Sequence, residues 1–219
     1  MTLSGLDRLA ERFALPQSQC RALACYEELL LHWNRSINLI SRKETSDLWE
    51  RHMLDSAQLL TLLPEAPAGR PLRIADLGSG GGFPGMVLAI LGAGTVTLVE
   101  SDRRKAAFLR QVSRETGAGA EVKAERIEAL GPLLAGCVTA RALAPLPKLL
   151  GYVARHLLPG GRALLLKGCR REEELTEASG HWSMKVTERP SLSDPKGAVL
   201  IIEDLIATPG HRAGEEANA

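Results

Sequence analysis

Charge of one sign is what this sequence most lacks: Lys and Arg number 27 against 26 Asp and Glu, a formal net charge of +1. A protein that holds a polyanion through bulk charge would be more basic, so a nucleic-acid partner has to be met by a local patch. Long apolar runs are also missing. No stretch approaches the ~18 uninterrupted apolar residues of a membrane-spanning helix, and Asp7, Arg8, Glu11 and Arg12 interrupt the N-terminus too early for a signal peptide. Cysteine is scarce: Cys20, Cys25, Cys137 and Cys169 show neither C-x-x-C spacing nor the density of a disulfide framework. The histidines His32, His52, His156, His181 and His211 are scattered, so no metal is expected. What is present is ordinary for a soluble, cytoplasmic globular protein: 219 residues, 45% hydrophobic and 24% charged. That is enough for one well-cored domain and a modest appendage.

The pattern along the chain changes near residue 70. Apolar positions at helical spacing (Leu3, Leu6, Leu9, Phe13, then Leu23, Tyr26, Leu30, Trp33) predict two helices parted by Pro16. A third is expected from Asp47 to about Leu63, with Asp47 and Glu50 at capping-box spacing. Residues 1–70 therefore read as a helical cap. From 71 to 210, short apolar runs alternate with helical segments: strands at Leu72–Leu77, Thr95–Glu100, Glu121–Ala124, Cys137–Ala142 and Arg162–Lys167, with helices at Pro84–Leu91, Arg103–Thr116, Ile127–Leu134, Leu146–Leu157 and Arg171–Ser179. This alternation predicts an α/β, mostly parallel, doubly wound sheet of Rossmann-like type. Strand candidates near Met184–Glu188 and Ala198–Leu205, with no helix between them, predict an antiparallel edge hairpin. Residues 211–219 read as a tail.

In such a sheet the ligand sits off the C-terminal strand ends where the strand order reverses. The turn after the first strand is Asp76-Leu77-Gly78-Ser79-Gly80-Gly81-Gly82-Phe83-Pro84-Gly85. Gly78 and Gly80 allow a tight bend and close backbone approach to a ligand. A dinucleotide fingerprint would place glycine where Phe83 stands. Asp76 suits a ligand bearing a cation, as the sulfonium and α-ammonium of S-adenosylmethionine do. Glu100 ends the second strand about twenty positions on, the spacing at which an acidic side chain accepts both ribose hydroxyls. The bland reading is that any Rossmann-like turn carries glycines and nearby acids.

The other loops restrict the acceptor. Exocyclic amines are usually oriented by an Asn/Asp-Pro-Pro-aromatic run after the fourth strand, where this chain has Ala140-Arg141-Ala142-Leu143-Ala144-Pro145. Methylation of a pyrimidine carbon needs a poised cysteine, and Cys137 and Cys169 read better as buried or incidental. A ring nitrogen such as guanine N7 needs neither device, since it is already a nucleophile and loses no proton. Arg141 would face the cofactor or the O6/N7 edge of a guanine. Lys167 ends the fifth strand beside the same opening, and Asn38 could reach the cleft from the cap. Arg103, Arg104, Lys105, Arg170 and Arg171 form either a solvated surface or a basic rim for phosphates. In Arg51-His52-Met53-Leu54-Asp55-Ser56, helical spacing lets Asp55 brace Arg51 or His52, a clamp rather than a catalytic dyad.

Several of these blocks together carry a resemblance. Asn38-Leu39-Ile40, Arg51 to Ser56, Asp76 to Gly85, Leu98-Val99-Glu100-Ser101, Lys105, Phe108-Leu109, Arg126-Ile127-Glu128, Arg141-Ala142 and Lys167-Gly168 resemble the bacterial 16S ribosomal RNA guanine-N7 methyltransferases, also called glucose-inhibited division protein B. The resemblance implies a Rossmann-like methyltransferase with a helical N-terminal cap. It would move the methyl group of S-adenosylmethionine to N7 of a guanosine in 16S ribosomal RNA near the decoding site. It further implies that Gly78 and Phe83 border the cofactor, Glu100 takes the ribose, Ile127 and Glu128 flank the adenine, and Arg141 lies in the pocket. Gly81 stands where the family carries Ala or Ser. The expected partner is 16S ribosomal RNA or the small subunit, with a monomeric protein. The alternatives are a small-molecule methyltransferase of the same fold and a non-catalytic RNA-binding module.

Overall fold

The computed structural model describes residues 4–41 and 45–208; the tail expected at 211–219 lies outside the described residues. Strands β1 (Arg73–Leu77), β2 (Thr95–Val99), β3 (Glu121–Lys123), β4 (Ala135–Arg141), β5 (Leu157–Lys167), β6 (Trp182–Pro190) and β7 (Ala198–Ala207) form a seven-stranded sheet of order β3-β2-β1-β4-β5-β7-β6. β1 to β5 pair in parallel, and β7 runs antiparallel to both β5 and β6. The doubly wound sheet and its antiparallel edge are as the alternation predicts. Strand order reverses between β1 and β4, so their C-terminal ends open the crevice where ligands bind in this architecture.

The helices are α1 (Gly5–Phe13), α2 (Gln17–Trp33), α3 (Gly85–Ile90), α4 (Arg103–Thr116), α5 (Leu146–His156) and α6 (Arg171–Ser179). Ser4 and Asp7 close a reciprocal capping box on α1. Asp102 caps α4 by accepting from the Arg104 and Lys105 amides at 2.8 and 3.1 Å. Its negative charge there offsets the cations that open this helix.

Two expected helices come out differently. Residues 49–62 are a wide π turn (Trp49–Leu54), a single α turn (Asp55–Ala57) and a 3-10 turn (Gln58–Leu62). The expected capping box does not form: Glu50 receives the Arg8 guanidinium instead, and Trp49 reaches Glu27 through its indole N–H at 2.7 Å. Tertiary partners outweigh the local capping signal. The helix expected at 127–134 shrinks to a 3-10 turn, Ile127–Ala129, because Gly131 and Pro132 prevent a regular helix from continuing.

Successive strand residues alternate between the two faces of the sheet. Ile74, Val96, Leu98, Cys137, Leu164 and Val199 join one core with Leu9, Leu23, Tyr26, Leu30, Met53 and Leu59. Ala75, Leu77, Val99, Val138, Leu165 and Leu200 face the other core, with Leu146, Leu149, Leu150 and Val153 of α5. The N-terminal helices thus share their apolar interior with one face of the sheet. Trp33 of α2 also donates to Gln111 of α4 at 3.0 Å. This packing brings Tyr26 of α2 and His52 to the open end of the sheet, where they meet the bend after β1 and the end of β4.

Candidate active site

The bend after β1 has a backbone that side chains would obstruct. Gly78, Gly80 and Gly82 adopt φ of 69°, 54° and 99°, a region glycine enters without steric cost. Gly82 has a second constraint: a Cβ there would lie 2.6 Å from the Tyr26 hydroxyl and 2.9 Å from Met86 Cβ. At Gly85 an added Cβ would come within 2.5 Å of Asp76 Cβ. Close helix-to-strand packing, the role of the third glycine in a dinucleotide fingerprint, therefore falls to Gly85, and position 83 is free to carry an aromatic ring.

A cavity of about 630 Å³ opens onto this bend. Gly78, Gly80, Phe83, Glu100, Ile127, Glu128 and Arg141 line it, so the structure brings these residues together from four separate stretches of chain. Glu100 is nearly buried; its carboxylate accepts the Gly80 amide on one oxygen and the Asp102 amide on the other, each at 2.8 Å. That tie fixes both the glutamate and the bend it faces. Glu128 accepts the Tyr152 hydroxyl at 2.7 Å. Burial opposes ionisation of this carboxyl, but the Tyr152 hydrogen bond and the Arg126 and Lys148 charges bring its pKa below the ordinary value. Buried His156 reaches the Ile127 carbonyl at 3.1 Å through Nε2, pinning the 3-10 turn to α5.

Asp76, the carboxylate expected to meet the ligand's cation, does not join this lining. It is fully buried beneath the bend. The parallel register sets Asp76 beside Thr139, whose hydroxyl donates to Oδ1 at 2.8 Å. Burial pushes the Asp76 carboxyl up to about 6, against hydrogen bonding from Ser79, Thr139 and the Gly85 amide. Its position is that of a buried support for the turn. Asn38 is exposed and lines neither this cavity nor the next.

Arg141 ends β4 where the sheet meets the N-terminal segment. Its guanidinium donates to the Arg51 carbonyl at 3.0 Å, meets His52 Nδ1, and stands over the Phe83 ring 5.9 Å from the centroid. His52 and Phe83 are themselves stacked, 4.8 Å between centroids. The Arg-His-x-Leu-Asp block thus meets the glycine turn through Arg141. Spacing alone suggests that Asp55 braces Arg51 or His52; instead Asp55 bonds Gln58 and, across the cleft, Ser191. The next residue, Ala142, takes φ 49°, a left-handed conformation that costs a non-glycine residue about 1–2 kcal/mol.

Residues 141–145 form a wall shared with a second cavity of about 470 Å³. Lys167 lines this one and not the first. Its ammonium is fixed by the Ala144 carbonyl at 2.9 Å and by Glu174 at 2.5 Å. Lys105 lines the first cavity and Arg170 the second, whereas Arg104 leans on its own cap, Asp102, at 3.9 Å. Sequence reading passes over the hydroxyl contacts of Tyr26, Tyr152 and Ser191. The family-like blocks at 38–40 and 51–56 are what hint that cap residues reach the site: Leu39, Ile40 and His52 line the first cavity.

A family model described as GidB, rRNA small subunit methyltransferase G, matches residues 19–198. The chain belongs to this family. A ribosomal RNA small subunit methyltransferase G of Rhodospirillum centenum is 51% identical, with 88% of each chain covered. The one from Paramagnetospirillum magneticum is 46% identical over 92% of this chain and 96% of its own. Among solved structures, an O-methyltransferase from Bacillus cereus in complex with SAH superposes with a TM-score of 0.56 at 13% identity, covering 92% of this chain and 98% of that one. A T. thermophilus 16S rRNA N2 methyltransferase in complex with AdoMet and guanosine gives 0.51 at 22% identity, covering 74% and 41%. At such identities the likeness is one of fold, the Rossmann-like methyltransferase fold. Membership of the methyltransferase G family rests on sequence.

Proposed function

We propose that the protein transfers the methyl group of S-adenosylmethionine to N7 of a guanosine in 16S ribosomal RNA near the decoding site. The observation that carries this reading is the pair of cavities divided by the 141–145 wall, one built on a bare glycine bend and the other lined by charged side chains. The first cavity fits the cofactor. The bend offers backbone at Gly78 and Gly80 with no side chain in the way, Glu100 presents a carboxylate for the ribose, and Ile127 and Glu128 offer an apolar and a polar edge for the adenine. Bound there, S-adenosylmethionine supplies a methyl group activated by a sulfonium.

The acceptor needs no base. Guanine N7 would attack the methyl carbon with an in-plane lone pair as the methyl–sulfur bond breaks; the neutral thioether leaves, the positive charge passes to the purine, and no proton is lost. The protein's task is then alignment and exclusion of water, worth roughly 7–11 kcal/mol when the reacting atoms are well placed. Arg141 and Lys167 are suited to hold the acceptor because each is fixed by neighbouring groups before substrate arrives. Residues 1–70 serve as a cap that closes the open end of the sheet over residues 71–210, and the enzyme works as a cytoplasmic monomer. Calorimetric titration tests the cofactor half. S-adenosylmethionine is expected to bind, and Glu100→Gln to weaken it by about 10- to 100-fold, the value of one charge-assisted hydrogen bond. A protein that binds a nicotinamide nucleotide instead overturns the reading.

A further inference from the structure

The second cavity contains an acidic group that neither the fold nor the cofactor site accounts for. Its walls come from the β4 and β5 ends, the segment carrying Arg51 and Asp55, and the turn between β6 and β7. At about 470 Å³ it has the size of a single-ligand pocket and does not admit a duplex, so an RNA substrate would enter it as one extruded or unpaired nucleotide. Three carboxylates line it: Asp55, Glu174 and Asp194. Glu174 is committed through Oε2 to Lys167 at 2.5 Å and to the Leu146 amide at 2.8 Å. Asp194 takes the Lys196 amide on Oδ1 at 2.9 Å and faces Arg51 with Oδ2 at 4.0 Å.

Asp55 differs. Its Oδ1 accepts Gln58 Nε2 at 2.5 Å and the Ser191 hydroxyl at 2.7 Å. Ser191 is itself locked, accepting the Ser193 and Asp194 amides at 3.1 Å each. Gln58 is held in turn by the Leu192 amide at 3.0 Å. Oδ2 accepts no hydrogen bond among the described residues. One oxygen is thus anchored from both sides of the cleft while the other is available, in a half-buried wall of the pocket. An anchored carboxylate with a spare acceptor calls for a donor on the ligand.

We propose that Asp55 reads the Watson–Crick edge of the acceptor guanine, taking an N–H of its 2-amino group on Oδ2. The inference rests on the proposed guanine-N7 reaction and names the group that makes it guanine-specific. Asp55 and Ser191 line only the second cavity, whereas 141–145 line both. A purine with its N1/N2 edge on the Asp55 side turns the opposite edge, which carries N7, toward the shared wall and the cofactor. Adenine has a lone pair at N1 and no amine at C2, so it would set an acceptor against the carboxylate. A site built to pair a donor rejects an analogue lacking it far more strongly than shape alone can.

The test uses the intact enzyme and small-subunit RNA carrying either guanosine or inosine at the methylated position. Inosine keeps N7 and loses only the 2-amino group. Wild type is expected to favour guanosine over inosine by about 10-fold in kcat/KM. Asp55→Asn should lower guanosine turnover by about 10- to 100-fold, bring the guanosine-to-inosine ratio close to one, and leave S-adenosylmethionine binding by calorimetry unchanged. Ser191→Ala keeps the carboxylate but removes an anchor, and an intermediate ratio is expected; it carries the test should Asp55→Asn fail to fold. An Asp55→Asn enzyme that folds and keeps the wild-type ratio overturns the proposal, as does a wild-type ratio of one. Wild type that binds the cofactor but makes no 7-methylguanosine overturns the functional reading and this inference with it, a result distinguishable from an active enzyme with an unaltered ratio.

Discussion

The guanidinium of Arg141 has its neighbours already in place: a backbone carbonyl, an imidazole nitrogen and an aromatic face. A cation held in this way pays little ordering entropy when substrate binds, and its planar fork cannot be reproduced by an ammonium. Arg141→Ala is expected to lower kcat by about 100-fold, the scale of losing one preorganised donor. Arg141→Lys should recover little of that loss. Single-turnover methylation measures both, and an alanine variant within a few-fold of wild type removes Arg141 from the site. Asp76 gives a second residue-scale expectation, for stability. Its carboxyl is pushed from an ordinary 3.8 up to about 6 by burial, so the folded state holds this proton more tightly than the unfolded chain. The stabilisation is complete below about pH 4 and is lost as pH rises through 6. At 1.36 kcal/mol per pKa unit that amounts to about 3 kcal/mol. Asp76→Asn does not titrate, so urea melts should show the variant gaining about that much relative to wild type between pH 4 and 7. A difference independent of pH contradicts the assignment.

At the level of elements, the glycine bend after β1 depends on a helix far away in sequence. Tyr26 of α2 donates its hydroxyl to the Gly81 carbonyl, and its ring stacks on Phe83 at 5.4 Å. Gly82→Ala would drive a methyl into that hydroxyl and force an unfavourable φ. Thermal melts should show a loss of about 2–3 kcal/mol, and an unchanged midpoint would mean the bend is looser than described. The strands and long helices were legible because alternation of apolar runs and helical periodicity report burial directly. The glycines were legible because the positive φ of the bend calls for that residue type, and the place of Glu100 beside the bend because it directly follows β2. The hydroxyl contacts of Tyr26, Tyr152 and Ser191 were not, since each ties to a segment distant in sequence, which apolar periodicity does not report. Asp76 is the converse case: a carboxylate beside a glycine turn reads as a ligand contact, and the structure buries it beneath the turn, outside the cavity lining. The helices expected at 47–63 and 127–134 failed for separate reasons, tertiary partners in the first case and Gly131-Pro132 in the second.

For the whole molecule, a net charge of +1 means that RNA affinity must come from where cations stand, with Arg51, Lys105, Arg141, Lys167 and Arg170 all lining the two cavities. Methylation of RNA should therefore fall steeply with added salt, with log kcat/KM linear in log salt concentration, while S-adenosylmethionine binding changes little. A salt-insensitive rate would point to a small uncharged acceptor. No helix among the described residues is long and apolar enough to cross a membrane. The most direct measurement is to incubate the purified protein with small-subunit RNA and methyl-labelled S-adenosylmethionine and to resolve the digested nucleosides by mass spectrometry. Label is expected in 7-methylguanosine at one position of 16S ribosomal RNA. Label in any other nucleoside, or none in RNA while the cofactor binds, contradicts the account.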